Sequence, residues 1–134
     1  MERASFAVDW DGCCVHEIWP EMGDWLPGAV TALKRLTARG KVVIYTLRSH
    51  PYEMDEKTPR LAKDVFHDLG KIRQMLDLAG LEEVEIYPPD RGKPPAKVYI
   101  DDRAVHFDGD WAKTILEVDL RLGITEYRNG LVVT

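Results

Sequence analysis

Two short apolar runs in this chain of 134 residues end in aspartates: Phe6-Ala7-Val8-Asp9-Trp10-Asp11-Gly12 and Val98-Tyr99-Ile100-Asp101-Asp102. Both read as buried β-strands that deliver carboxylates at their C-terminal ends. Four carboxylates at one sheet edge repel one another unless a cation lies among them, and hard oxygen ligands suit Mg²⁺. Such a chain is expected to hold a divalent ion and to keep one carboxylate for chemistry.

The remaining segments complete an α/β pattern. Residues 42–45 form a second continuous apolar strand that ends at Thr46, and residues 84–87 form a short further strand. Behind Pro27 and Gly28, the residues Ala29, Val30, Leu33 and Leu36 repeat at helical spacing, and Gly40 is a suitable stop. Thr58-Pro59 reads as the cap of a second helix, whose stripe of Leu61, Val65, Leu69, Ile72, Met75, Leu76 and Leu78 runs to Gly80. Gly70 weakens its middle and marks an expected break. Asp110 caps a third helix over residues 111–122, with Gly123 as its stop, and Asn129-Gly130 signals a two-residue hairpin. Residues 13–26, which include Trp19, Pro20 and Trp25, and residues 49–57 read as loops. Apolar strands alternating with helices predict a three-layer α/β/α Rossmannoid fold with a mainly parallel sheet, in a single domain over residues 1–134. In such sheets ligands sit beyond the carboxyl ends of the strands, where Asp9, Thr46 and Asp101 all fall.

A formal net charge of −5 argues against sequence-independent binding to nucleic acid. A phosphate ester remains a suitable ligand, because a bound cation and a local basic patch near Arg48, Arg60 and Lys63 can reverse the sign at the site. The chain shows neither a signal peptide nor an apolar run long enough to span a bilayer, so a cytoplasmic protein with no membrane partner is expected. Cys13 and Cys14 are adjacent, a spacing that strains a disulfide, and they read as reduced thiols.

Asp9 and Asp11 lie two apart in an extended segment, so their side chains leave on the same side. One can be a metal-bound nucleophile and the other a general acid or base, since paired carboxylates in unlike environments separate their pKa values. Gly12 permits the tight exit that folds the second over the first. Trp10, between them, points the other way, into packing. Thr46, with Arg48 and Ser49 behind it, can hold phosphate oxygens through its hydroxyl and nearby backbone N–H groups. Lys93, in a loop of glycine and prolines, can balance a phosphate and the carboxylates, and Lys97 is its rival. Asp101 and Asp102 are costly at the end of a buried strand unless compensated, and Arg103 is a candidate partner. His16, His50, His67 and His106 show no ligand spacing.

In order, these segments resemble the four motifs of the haloacid dehalogenase (HAD) superfamily. The first resembles residues 6–12, the second Val43-Ile44-Tyr45-Thr46, the third Gly92-Lys93-Pro94 and the fourth Val98-Tyr99-Ile100-Asp101-Asp102. The run from Gly92 to Trp111 is similar to that of small HAD-like hydrolases of bacteria and phages. The resemblance implies a HAD-like fold and a Mg²⁺-dependent phosphatase, a phosphomonoester hydrolase acting through an aspartyl-phosphate. It implies that Asp9 attacks phosphorus and that Asp11 protonates the leaving group and then activates water. It further implies that Thr46 binds the transferred phosphoryl group and that Lys93 orients nucleophile and phosphate. Mg²⁺ would be held by Asp9, the backbone carbonyl of Asp11 and Asp101, with Asp102 a direct ligand or one step behind. Residues 13–26 and 49–57 are too short for a full cap domain, so a capless form is expected, with the Trp-bearing loop as a small flap.

The expected substrate is a phosphorylated small molecule or a nucleotide, with a polynucleotide phosphate end as a further option; the oligomeric state stays open. The alternative is a catalytically idle HAD-like phosphate-binding or scaffold protein, against which stands the full set of catalytic side chains. A phosphate-receiving signalling domain would share the acids, Thr and Lys, but its phosphorylated Asp lies on a later strand, not two residues from another Asp on the first.

Overall fold

A computed structural model describes residues 4–50, 61–124, 126–128 and 131–133. They form two compact units, Met1–Asp102 and Arg103–Thr134. In the first, β1 (Ala4–Asp9) is followed by β2 (Val15–Ile18), β3 (Glu21–Trp25), α1 (Ala29–Thr37), β4 (Val42–Tyr45), α2 (Ala62–Leu78), β5 (Glu85–Ile86) and β6 (Ala96–Ile100). The second contains α3 (Trp111–Arg121), β7 (Glu126–Arg128) and β8 (Leu131–Val133).

Four strands of the first unit form one sheet in the order β5-β4-β1-β6, and all three pairings are parallel. This is the α/β class with a mainly parallel sheet that the alternation of apolar strands and helices predicts. Phe6, Val8, Val42 and Ile44 pack on one side with Leu33 of α1 and Ile72 and Leu76 of α2. Trp10 is fully buried in the same cluster, as expected of a residue that points away from the acids into packing. Ala4, Ala7, Val43 and Ala96 form a smaller second cluster, with Tyr45 against it. The register places Val8 between Ile44 and Ile100 and pairs Asp9 with Tyr45. Asp9, Thr46 and Asp101 thereby reach the same sheet edge. Among the described residues, no helix is long and apolar enough to cross a membrane.

Three local expectations are corrected. Residues 13–26 are not an irregular loop: β2 and β3 pair antiparallel, Ile18 opposite Glu21, around Trp19-Pro20. The segment lacks the Asn-Gly or Asp-Gly signal that betrays a tight hairpin, and its strands are largely exposed, so neither periodicity nor turn chemistry reveals it. The strand before Asp101 is not buried throughout. Val98 is 47% exposed and Ile100 37%, because β6 is an edge strand paired only with β1 among the described strands. The second helix does not break at Gly70 but runs unbroken over 17 residues. Its inner stripe, with Ile72 and Leu76 fully buried, holds the helix through the glycine.

The predicted cap at Thr58-Pro59 and most of the loop at 49–57 lie outside the described residues. Asp110 does cap α3, its carboxylate accepting from Lys113 N at 3.1 Å. β7 and β8 pair antiparallel with Arg128 opposite Leu131; Asn129-Gly130, the predicted hairpin signal between them, lies outside the described residues.

Gly70 is exposed on α2, and a methyl group there would meet no atom within 4 Å. Gly70→Ala is therefore expected to stabilise the protein by about 0.5–1 kcal/mol, read as a higher midpoint of urea unfolding with an unchanged slope.

Candidate functional site

β1 ends at Asp9, and one oxygen of its carboxylate accepts from the Trp10 N–H at 2.9 Å. The chain then turns, with Cys13 and Cys14 N–H groups donating to the Trp10 carbonyl. This turn brings the Cys13 sulfur back beside Asp9, and β6 delivers Asp102 to the same point. One donor atom each from Asp9, Cys13 and Asp102 lie within 4.8 Å of one another. Gly12 has φ +88°, and a Cβ there would overlap the Asp102 carboxylate. Only a glycine allows the turn to close this tightly over that acid.

The crowding has electrostatic consequences. Burial, the charge of Asp101 and a hydrogen bond with Asp102 push the Asp9 carboxyl up to about 7. Burial and the Asp9 and Asp102 charges push the Cys13 thiol up to about 11, and burial pushes Cys14 up to about 12. Both cysteines are free thiols, as expected. Asp101 has a partner of its own: the Tyr45 hydroxyl donates to it at 2.7 Å. Burial and that bond raise the Tyr45 phenol, which stays a donor.

Asp11 faces other company. Arg48 Nε donates to one carboxylate oxygen at 2.8 Å and Nη2 to the other at 2.7 Å. The Arg48 side chain has no exposed surface. It also donates to Asp68 of α2 and to the carbonyls of Pro20 and Glu21 in the β2–β3 hairpin, and Trp19 stacks on it at 4.6 Å. Asp9 and Asp11, two apart in sequence, thus have separate sets of partners. Thr46 is buried at the end of β4, where its hydroxyl accepts from Arg48 N at 3.1 Å and caps the short 3₁₀ turn Leu47–Ser49. Lys93 is exposed and stands over the Tyr99 ring at 4.4 Å. That ring meets Tyr45 edge-on at 6.4 Å, two aromatic rings short of Asp101. Lys97 is exposed on β6.

The structure therefore brings together Asp9, Asp101 and Asp102, with Asp102 rather than Asp101 nearest to Asp9 and Cys13. Sequence reasoning missed Tyr45, Cys13 and Asp68 as members of this region. Tyr45 was detectable as the neighbour of Asp9 once β1 and β4 are aligned; Asp68 had no signal, since a lone acid on a helix resembles a solvated one. The donor set fits a hard divalent cation through its carboxylate oxygens, and the close approach of Gly12 to Asp102 holds that acid in place.

No family model matches the chain, and no curated protein matches it. A solved structure of a conserved protein from Bacteroides thetaiotaomicron is similar to it, with a TM-score of 0.52 and 23% identity over 90% of this chain and 93% of the other. At that identity the likeness shows the fold alone.

Asp9 binds its proton more tightly folded than unfolded, since the folded value of about 7 lies above the ordinary aspartate value. Its stabilising contribution is full below about pH 4 and is lost as pH rises through about 7. In EDTA the melting temperature is expected to fall across this range more steeply for the wild type than for Asp9→Asn. Added Mg²⁺ should restore the wild type alone at the upper end. Equal slopes in differential scanning calorimetry would place the titrating group elsewhere.

Proposed function

We propose that the chain is a Mg²⁺-dependent phosphomonoester hydrolase with Asp9 as the nucleophile, of the kind its HAD-like motifs imply. The observation that carries this reading is the convergence of Asp9, Asp101 and Asp102 at the carboxyl edge of a parallel sheet, where burial and the neighbouring acids raise the Asp9 carboxyl. Asp9 and Asp102 would hold the cation, which when bound neutralises charge on acids and phosphate. Tyr45 holds Asp101 beside them through its hydroxyl, which donates to the carboxylate.

An Asp9 oxygen forms a bond to phosphorus as the bond from phosphorus to the leaving oxygen breaks. The leaving oxygen takes a proton from Asp11. Arg48 engages both Asp11 oxygens, so the acid role of Asp11 is assigned on the strength of the motif. Water then attacks the aspartyl-phosphate, Asp11 accepts its proton, and Asp9 is released with inorganic phosphate. Thr46 and Lys93 are assigned to the phosphoryl group on the strength of the motif. Either a phosphorylated metabolite or a nucleotide suits the acidic surface.

One observation favours a second reading, a phosphate-binding protein that does not turn over: Asp11 is engaged at both oxygens by a buried guanidinium. The two readings part in one experiment, phosphate release from a panel of phosphomonoesters, including mononucleotides and phosphorylated oligonucleotides, with Mg²⁺ or with EDTA. Mg²⁺-dependent release that falls by about a thousandfold or more in Asp9→Asn is expected. Equal release from the variant would remove Asp9 as nucleophile. Binding of phosphate esters without release would favour the second reading.

A further inference from the structure

We infer that the outer edge of β6 is an interaction surface for a second copy of this chain, the two β6 strands pairing antiparallel about a two-fold axis at Tyr99. The inference stands apart from the phosphatase reading.

The sheet β5-β4-β1-β6 has two edges, and they are built differently. β5 is two residues long, carries the exposed Glu85 and runs into Pro88. Short length, charge and proline are means by which an edge avoids another strand. β6 is five residues long and holds no proline. Its pairing with β1 keeps one register from Ala4 opposite Ala96 to Val8 opposite Ile100, so no bulge twists the edge away. Val98, Tyr99 and Ile100 are the β-branched and aromatic types that favour strands, and they are 37–47% exposed. β1 is the one neighbour of β6 among the described strands, and the outer edge of such a strand presents N–H and C=O groups to a further strand. The one charge on β6, Lys97, opposes pairing with an uncharged strand but not with a strand that sets an acid opposite it.

This chain supplies such a strand itself. With the axis at Tyr99, Lys97 faces Asp101 of the second copy, and Val98 faces its Ile100. By symmetry each contact occurs twice, once on each side of the axis. Val98 and Ile100 share a sheet face with Phe6 and Val8, which they adjoin in register, so the apolar surface of one copy continues into the other. Lys97, Tyr99 and Asp101 alternate with them on the opposite face, where opposite charges placed across an antiparallel pair attract.

Neighbouring registers lose this match. An axis at Val98 sets Lys97 against Tyr99 and Pro95 against Asp101, and an axis at Ile100 sets Lys97 against Arg103. Charge complementarity therefore selects Tyr99. The same pairing brings a lysine from the second copy to Asp101, at the edge where Asp9, Asp101 and Asp102 converge.

Five residues a side are fewer than the ~20–30 of a standard interface, so the dimer is expected to dissociate on dilution. Sedimentation velocity of the full chain over a range of concentrations should show a monomer–dimer equilibrium. Lys97→Glu sets like charges opposite one another and should raise the dissociation constant about tenfold or more. Tyr99→Cys sets two thiols face to face and should give, on oxidation, a dimer linked through residue 99 in peptide mapping. Lys97→Cys should not link to itself, since residue 97 lies opposite residue 101. The oxidised wild type controls for Cys13 and Cys14, and the melting temperature of each variant separates loss of fold from loss of pairing. A wild type that stays monomeric at every concentration would overturn the inference. So would a dimer that Lys97→Glu leaves unchanged, or one that Tyr99→Cys does not cross-link.

Discussion

The Arg48 guanidinium is held without exposed surface between three parts of the first unit, the exit from β1, the β2–β3 hairpin and α2. Removing such a charge from water costs several kcal/mol, and the structure offsets that only if every N–H finds an acceptor. Two carboxylates and two hairpin carbonyls supply the acceptors. Thr46 sets where the side chain starts, since its hydroxyl caps the turn from which Arg48 leaves β4. The exit from β1, the hairpin and α2 must therefore close around Arg48 together. Loss of any one acceptor leaves a buried charge incompletely paired.

On the other side of the β1 exit, like charges replace opposite ones. Asp9, Asp101 and Asp102 crowd each other, and the structure separates them by giving each a different neighbour. Tyr45 donates to Asp101, Gly12 lies against Asp102, and Asp9 keeps the Trp10 N–H. Burial first, and then the neighbouring charges, raise the Asp9 carboxyl. Asp11, by contrast, has both oxygens engaged by Arg48. Two aspartates of one short motif thus face two electrostatic environments.

Much of this was legible in the residues. β1, β4, α1 and α2 follow from apolar pattern, because their inner faces are buried and burial selects the pattern, while α3 follows from its Asp110 cap. The hairpin was not legible, since its strands are short and exposed and its turn is Trp19-Pro20 instead of a glycine turn. Gly70 misled for a related reason: a local penalty of about 1 kcal/mol is outweighed by a packed stripe. The edge position of β6 was hidden because apolar composition reports what a strand prefers, not how many neighbours it has. Asp9, Thr46 and Asp101 fall at strand ends, and Lys93 stands over the Tyr99 ring.

The sequence by itself determined the α/β class and the delivery of acids to one sheet edge, because both depend on patterns repeated within a few residues of each other. Only the tertiary structure decided which acid meets which partner. Asp11 meets Arg48 across 37 positions, Asp101 meets Tyr45 across 56, and Arg48 meets Asp68 across 20. Charge and hydrogen bonding act through space and depend steeply on distance and on exclusion of water. Strand register and helix docking set both, and a linear string of residues specifies neither until it has folded.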